Sequence, residues 1–278
     1  MSDHLLSARQ VARFVADGYL RFDACVDDAH NRAVLAELEG GRLSGCRYND
    51  ERMDFDEYFA ESPAYQAVMN LPQVQGMITS LIGKNPAIDH CAVHTVTGGT
   101  KYAQFYHADA TIDPRTTAFD IQVFYYPHDT PREAGGTLFL PGSQFRHIHE
   151  STIARYQNIK GQVAMVCPAG TIVVAHQNIW HCGQPNRTGR IRYMVKLRLN
   201  ASVPQRRLFP TEGADCDEIG SILATYHPWL GAETRLEFLQ RLRLWRELTV
   251  SDFDKDLWLS RLEGRTAVPA EFETALSR

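Results

Sequence analysis

The region between residues 87 and 202 is divided into short segments rich in Val, Ile, Thr, Phe and Tyr, which Gly and Pro residues separate. Their composition and length are typical of β-strands, and no helical periodicity runs through them. The segments are AIDHCAVHTV, TKYAQFYHAD, FDIQVFYYP, GTLFLPGS, GQVAMVCP, GTIVVAH and IRYMVKLRLNA. Many short strands joined by turns predict a barrel or a two-sheet jelly roll.

Helical periodicity appears on both sides of this region. In ARQVARFVADG the apolar residues recur at helical spacing, Ser7 is a suitable N-cap and Gly18 a suitable end. The strand YLRF follows, and DDAHNRAVLAELEGG and SPAYQAVMNLPQVQGMITSLIG predict further helices, the second interrupted at Pro72. After Pro204 the helical period returns in DEIGSILATYH, ETRLEFLQRLRLWREL and DFDKDLWLSRLE.

Together these patterns predict one domain, mainly β with flanking helices. We expect it to comprise N-terminal helices packed on the barrel in residues 1–85, a jelly-roll core in 86–203 and C-terminal helices in 204–278.

The composition argues against several kinds of partner. The chain has 278 residues, and 29 basic against 33 acidic side chains give a formal net charge of −4. Binding to nucleic acid or to an anionic membrane requires a basic excess, so neither partner is expected. The N-terminus lacks the features of a secretory signal, no apolar run approaches the roughly 18 residues of a membrane span, and the six cysteines form no C-x-x-C motif. We expect a cytoplasmic protein with reduced thiols.

The stretch FYHADATID contains a histidine and an aspartate two residues apart, His107 and Asp109. Such a pair arises by chance in a chain with eleven histidines, so alone it is weak evidence. On a strand, however, residues i and i+2 point to the same face, so both side chains could enter the interior of a barrel. A carboxylate in that position requires a partner or a bound cation.

The segment GTIVVAHQNIWHCGQPNRTGR offers two candidates for a further ligand, His176 and His181. Two histidines and one carboxylate form the facial triad of non-haem Fe(II) oxygenases, which leaves positions on the metal open. Zinc sites more often have additional Cys or His ligands. We predict His181 as the third ligand, because it lies in a turn region where a strand end reaches the mouth of a barrel. His176 follows the apolar run TIVVA and is better explained as a core histidine.

The ordered combination of these motifs resembles the phytanoyl-CoA dioxygenase family of Fe(II)/2-oxoglutarate oxygenases. It consists of VARFVADGYLRF, then His107-x-Asp109, then GGTLFLPGS at 135–143, then His181 with Arg192 eleven residues later. The resemblance extends from about residue 8 to about residue 200. It implies a double-stranded β-helix core of the cupin-like jelly-roll type, Fe(II) bound by His107, Asp109 and His181, 2-oxoglutarate as cosubstrate and O2 as oxidant.

The resemblance also implies contacts to the cosubstrate. Arg192 would bind the distal carboxylate of 2-oxoglutarate, for which a bidentate guanidinium is suited. Arg190 and Arg198 share the strand parity of Arg192 and compete for this role. Gln104 and Thr137 match a glutamine and a threonine that assist cosubstrate binding in biosynthetic members, although Gln104 requires a bulge to share the face of the metal ligands.

Two positions depart from the family pattern. A serine or threonine that contacts the cosubstrate in several members is Gly183 here, and the usual PGSH ends in Gln144. Neither change is expected to affect iron binding. Asp109 argues against a halogenase, because the related halogenases have a small residue in its place. His94, on the strand before the TGGT turn, could line the pocket or be structural.

We therefore expect a dioxygenase that hydroxylates or otherwise oxidises a C–H bond of a small metabolite or natural product, with succinate and CO2 as co-products. One alternative is a cupin-like isomerase or hydrolase that uses the same ligands on Zn, Mn or Ni without O2, and another is a non-catalytic binding module. The segment RLRLWREL could cover the pocket or contribute to a homodimer contact.

Overall fold

Two antiparallel β-sheets form the centre of the molecule. The structure, a computed structural model, describes residues 4–43, 46–48, 54–109, 117–146 and 158–253. Within these residues the strands are β1 (Tyr19–Phe22), β2 (Cys46–Tyr48), β3 (Ala87–Val96), β4 (Ile121–Tyr126), β5 (Thr137–Phe139), β6 (Val163–Ala164), β7 (Thr171–His176), β8 (His181–Gly183) and β9 (Arg192–Asn200). The larger sheet has the order β1-β7-β4-β9-β3-β2 and the smaller one the order β6-β5-β8. This arrangement confirms the predicted double-stranded β-helix core.

Helices lie before and after the strands of the core. They are α1 (Ala8–Asp17), α2 (Asp28–Glu39), α3 (Phe55–Tyr58), α4 (Pro63–Met69), α5 (Pro72–Ile82), α6 (Asp217–Leu223) and α7 (Thr234–Thr249), with short 3₁₀ helices at Arg132–Ala134 and Gly231–Glu233. None of the helices in the described part of the chain is long and apolar enough to cross a membrane.

The first helix begins and ends where the sequence predicts. The Ser7 hydroxyl accepts a hydrogen bond from the backbone N–H of Gln10, and the Gln10 side chain accepts one from the backbone N–H of Ser7. This capping box satisfies two N–H groups that the first turn would otherwise leave unpaired. Gly18 ends the helix, and Phe14 and Val15 are among its buried residues. The chain then enters β1, which pairs with β7 at the edge of the larger sheet.

Strand β4 lies inside the larger sheet and is buried on both faces. Because side chains alternate along a strand, Val123 and Tyr125 join the core between this sheet and the helices, while Phe124 and Tyr126 join the core between the two sheets. The Phe124 ring meets the ring of Phe139 on β5 edge-on, with centroids 5.2 Å apart. The space between the sheets is therefore a packed apolar layer.

The segment after the core packs against a turn of the smaller sheet. Trp229 donates a hydrogen bond from Nε1 to the carbonyl of Pro141 at 2.8 Å, and its ring lies 5.4 Å from that of Trp180. Helix α6 packs on α1. The predicted helix DFDKDLWLSRLE falls mostly on residues that lie outside the described ranges.

One predicted strand is wrong, and two short strands were not predicted. TKYAQFYHAD forms no continuous strand, and within it only His107 makes an isolated bridge, to His181. The backbone N–H of Gln104 binds the carbonyl of Gly183, and that of His107 binds the carbonyl of His181. Between these two hydrogen bonds the chain advances three residues from Gln104 to His107, whereas the partner segment advances two residues between His181 and Gly183. The extra residue interrupts the hydrogen-bond ladder, as in a β-bulge. Strands β2 and β8 are only three residues long, and β8 was expected to be part of a turn.

Gly135 shows how closely the chain before β5 approaches the chain after β8, and it provides a test of the fold. Its φ is +67°, and a Cβ atom built on it would lie 2.1 Å from the carbonyl oxygen of Pro185. Gly213 has a similar φ of +73° with nothing within 4 Å of its Cβ position. We expect Gly213→Ala to lower the free energy of unfolding by about 1–2 kcal/mol from backbone strain alone. Gly135→Ala should lower it by roughly 3 kcal/mol or more, because the clash adds to the strain.

Urea unfolding of the two variants measures this difference, since the midpoint and slope give the free energy of unfolding. Equal losses in the two variants would contradict the close approach of Gly135 to Pro185.

Candidate metal centre

Two hydrogen bonds between backbones bring two histidines side by side. The N–H of His107 donates to the carbonyl of His181 at 3.0 Å, and the N–H of His181 donates to the carbonyl of His107 at 2.8 Å. The imidazole ring centroids are 4.4 Å apart. Asp109, two residues after His107, places Oδ1 4.0 Å from Nε2 of His107 and 3.9 Å from Nε2 of His181. The structure therefore brings together all three predicted ligands, and their ligand atoms lie within 4.8 Å of one another.

The orientation of both imidazoles is set by backbone carbonyls. Nδ1 of His107 lies 2.9 Å from the carbonyl of Phe105, and Nδ1 of His181 lies 2.9 Å from the carbonyl of Ile179. A carbonyl oxygen can only accept, so in the neutral form of each ring Nδ1 carries the proton and Nε2 keeps its lone pair. Both lone pairs belong to the nitrogens nearest Asp109. This arrangement is typical of metal-binding histidines, whose other nitrogen is held by a carbonyl or a carboxylate.

Asp109 is held by a buried lysine on β9 that the sequence analysis did not single out. Nζ of Lys196 lies 2.9 Å from Oδ2 of Asp109, and about a tenth of each side chain is exposed. The two carboxylate oxygens thus have different neighbours, Oδ1 the imidazoles and Oδ2 the ammonium. Alternation along β9 could have indicated this residue, because Lys196 shares the strand parity of Arg192.

Burial and charge fix the protonation states of the site. Burial opposes ionisation of Asp109, but neighbouring groups outweigh it and lower the pKa of the carboxyl. Burial lowers the pKa of His181, so its ring is neutral near pH 7 and the Lys196 ammonium is the adjacent charge that keeps Asp109 ionised. Two imidazoles and one carboxylate are a donor set of nitrogen and oxygen that fits Fe(II).

A cavity of about 170 Å³ lies beside these side chains. Its described lining contains residues of both sheets and of the segment before His107. They are His94, Val96, Thr100, Tyr102, Gln104, His107, Phe124, Thr137, His181, Gly183, Gln184, Arg192, Met194 and Lys196.

Arg192 is a buried cation in this cavity. Its Nη1 donates hydrogen bonds to the carbonyls of Ala134 at 2.7 Å and of Gln184 at 3.0 Å. No carboxylate of the described residues lies within 4.0 Å of it, and burial lowers the pKa of its guanidinium. Of its two competitors, Arg190 is exposed, and Nε of Arg198 pairs with a carboxylate oxygen of Asp89 at 2.5 Å.

The structure places the two remaining cosubstrate candidates on the cavity wall. Oε1 of Gln104 accepts a hydrogen bond from the N–H of Gly183 at 3.0 Å, which leaves its NH2 group as a donor. The hydroxyl of Thr137 accepts a hydrogen bond from Tyr126 at 3.2 Å. The extra residue between Gln104 and His107 is the bulge that this position of Gln104 requires.

The two other histidines differ in position. His176 is buried in the helix-facing core, where its ring stacks on that of Phe14 and its Nδ1 accepts a hydrogen bond from the N–H of Asn178. His94 lines the cavity, and its buried Nε2 has no hydrogen-bond partner among the described residues. Burial lowers the pKa of His94 to about 4, so this ring is also neutral near pH 7.

Comparisons with known proteins agree with this geometry. The phytanoyl-CoA dioxygenase (PhyH) family model matches residues 14–194. No curated protein sequence matches the chain. Among solved structures, the non-haem α-ketoglutarate-dependent carbocyclase SnoK from nogalamycin biosynthesis is 18% identical, with a TM-score of 0.55 over 70% of this chain and 85% of that one.

Two further structures have the same fold. EctD from S. alaskensis, solved with 2-oxoglutarate and 5-hydroxyectoine, is 19% identical, with a TM-score of 0.55 over 72% of this chain and 78% of that one. HygX from Streptomyces hygroscopicus is 13% identical, with a TM-score of 0.55 over 71% of this chain and 87% of that one.

The buried pair of Asp109 and Lys196 predicts a large stability effect in the protein without metal. Asp109→Asn leaves a buried ammonium without its counter-charge, which should lower the free energy of unfolding by about 2–4 kcal/mol. Glu247→Gln is the matched control, because it breaks an ion pair with Arg206 that is much more exposed than that of Asp109 and Lys196. That change should cost less than about 1 kcal/mol.

Urea unfolding with a metal chelator present measures both values. Because the folded-state pKa of Asp109 is lowered, its contribution is full above about pH 4 and is lost as the pH falls below that value. A cost for Asp109→Asn no larger than that of the control at pH 7 would contradict a buried ion pair.

Proposed function

Because the chain belongs to the phytanoyl-CoA dioxygenase family, we propose that it is a 2-oxoglutarate-dependent non-haem iron dioxygenase. Its reaction is the oxidation of a C–H bond in a small metabolite or natural product, hydroxylation in the simplest case, with succinate and CO2 as co-products. The observation that carries this proposal is Arg192, a buried cation without a carboxylate partner among the described residues, in the cavity that His107 and His181 also line.

In this proposal His107, Asp109 and His181 hold Fe(II). The histidines need no proton rearrangement to bind the metal, because their Nδ1 atoms already donate to carbonyls. Asp109 offers Oδ1 while Lys196 holds Oδ2, so the carboxylate contributes one oxygen. When bound, iron supplies the activation of O2 that couples C–H oxidation to decarboxylation of 2-oxoglutarate. The three residues leave further positions on the metal open for cosubstrate and O2.

Arg192 binds the distal carboxylate of 2-oxoglutarate. The carbonyls of Ala134 and Gln184 occupy Nη1 and fix the plane of the guanidinium, and Nε and Nη2 make no hydrogen bond within the described residues. These remaining N–H groups can form the charge-assisted pair that a carboxylate accepts from arginine. In a cavity shielded from water such a pair is stronger than at the surface.

Gln104 and Thr137 assist by donating hydrogen bonds to the same cosubstrate. The Gln104 amide has free donors because its oxygen is occupied by Gly183, and the Thr137 hydroxyl can donate because Tyr126 takes one of its lone pairs. The apolar walls at Phe124 and Met194 limit the water that reaches the reacting atoms.

Arg192→Met tests the proposal through the cosubstrate. We expect the Kd of the manganese-loaded protein for 2-oxoglutarate to rise about 100-fold, because a buried charge-assisted pair is lost. Arg190→Met removes an exposed arginine two residues away, and we expect it to leave the Kd unchanged. Isothermal titration calorimetry gives the Kd, and succinate release by the iron-loaded protein in air reports turnover.

An unchanged affinity for 2-oxoglutarate in Arg192→Met would remove the assigned carboxylate site. A wild-type protein that binds metal but neither binds nor consumes 2-oxoglutarate would favour the non-oxidative, cupin-type isomerase or hydrolase instead.

A further inference from the structure

The cavity contains more positive charge than its own carboxylate neutralises. Arg192 and Lys196 are both buried and line it, and Asp109 is the carboxylate paired with Lys196. Among the described residues the two cationic side chains of β9 thus outnumber the one carboxylate at the site. A buried excess charge is costly, which favours an anionic ligand.

The two cations bind different groups. They are four residues apart on β9, which corresponds to about 13 Å along a strand. Arg192 reaches the carbonyls of Ala134 and Gln184, whereas Lys196 reaches Asp109. The proposed role of Arg192 therefore leaves Lys196 unexplained.

Lys196 and a bound metal would compete for the same carboxylate. A metal ion bound at Oδ1 would neutralise part of the negative charge of Asp109. The Lys196 ammonium at Oδ2 would then lie close to a second positive charge, that of the metal. An ammonium has three N–H donors, and the single hydrogen bond of Lys196 to a described residue is the one to Oδ2. Two donors are left for a ligand.

A second polar atom without a partner lies in the same part of the cavity. His94 is opposite Met194 on the paired strands β3 and β9, between the levels of Arg192 and Lys196. Its Nε2 is buried and has no hydrogen-bond partner among the described residues. Buried polar atoms are rarely left unpaired, so this atom indicates that a polar ligand group occupies the space beside it.

We propose that Lys196 is a second carboxylate-binding residue of the cavity, which neutralises Asp109 in the absence of metal and donates hydrogen bonds to a carboxylate once the metal is bound. The inference rests on the proposed function. The carboxylate is either the one of 2-oxoglutarate that lies nearer the metal or an acid group of the substrate. In both cases the same ammonium recognises it.

Lys196→Met distinguishes this role from a merely structural one. Without the competing ammonium, Mn(II) should bind about tenfold more tightly, because less positive charge opposes it. The affinity of the manganese-loaded protein for a carboxylate should fall about tenfold, because a charge-assisted hydrogen bond is lost. A structural defect would weaken both, so the opposite directions are the signature of the proposed role.

The experiment compares four proteins. Wild type and Lys196→Met are joined by Lys196→Gln, which serves if the methionine variant does not fold, and by Lys101→Met, which removes an exposed lysine next to two residues that line the cavity. Free Mn(II) is measured by electron paramagnetic resonance, and carboxylate binding by calorimetry. One titration adds 2-oxoglutarate to manganese-loaded protein, and another adds acetate to protein loaded with manganese and 2-oxoglutarate. The Lys101 control should match wild type in every titration.

Each outcome decides the question. Tighter Mn(II) binding with weaker 2-oxoglutarate binding assigns Lys196 to the cosubstrate, and tighter Mn(II) binding with weaker acetate binding assigns it to a substrate acid group. Mn(II) binding that is unchanged or weaker, or unchanged binding of both carboxylates, would overturn the proposal. Failure of wild type itself to bind Mn(II) or 2-oxoglutarate would instead contradict the proposed function, and the role of Lys196 with it.

Discussion

The reciprocal hydrogen bonds between the backbones of His107 and His181 are the constraint on which the site depends. They join a segment that forms no strand of its own to the three-residue strand β8. Because the two residues are directly opposite, their imidazoles lie side by side, and Asp109 follows two residues later on the same face. Pairing between two segments that are distant in the sequence therefore brings the three candidate ligands together.

The other side chains of the site compensate for the burial of charged groups. Asp109 is ionised beside Lys196, and Arg192 is held by two carbonyls without a carboxylate among the described residues. Burial lowers the pKa of His181, so this ring can act as a ligand without losing a proton. The result is a cavity with a small excess of positive charge, which is suited to a metal only when anions accompany it. A dicarboxylate cosubstrate meets this requirement.

The sequence predicted the elements that have a strong local pattern. Helix α1 has a capping box at Ser7 and a glycine at its end, and β3 coincides with the predicted AIDHCAVHTV, because composition and punctuation mark both. Elements that depend on pairing between distant segments were harder to predict from the sequence. TKYAQFYHAD has the composition of a strand, but its two contacts with β8 are out of step by one residue, and β8 is too short to show an alternating pattern.

The same distinction holds for the site. Motif order was sufficient to select His107, Asp109, His181 and Arg192, whose side chains the structure brings to one cavity or its edge. Lys196 was missed, because a lysine inside a strand carries no motif. Its strand parity with Arg192 could have indicated it, but only the structure shows its ion pair with Asp109. Arg190 differs from Arg192 in being exposed, and Arg198 differs from it in being paired with a carboxylate. Both differences follow from the packed structure and not from a sequence pattern.

The most direct test of this account is an anaerobic titration of the metal-free protein with Fe(II) and then 2-oxoglutarate, observed by visible absorption. The account predicts a metal-to-ligand charge-transfer band in wild type that requires both additions and does not form in Asp109→Ala. If wild type formed no such band while binding another divalent metal tightly, the central claim would be contradicted, because iron and 2-oxoglutarate would not meet at this site.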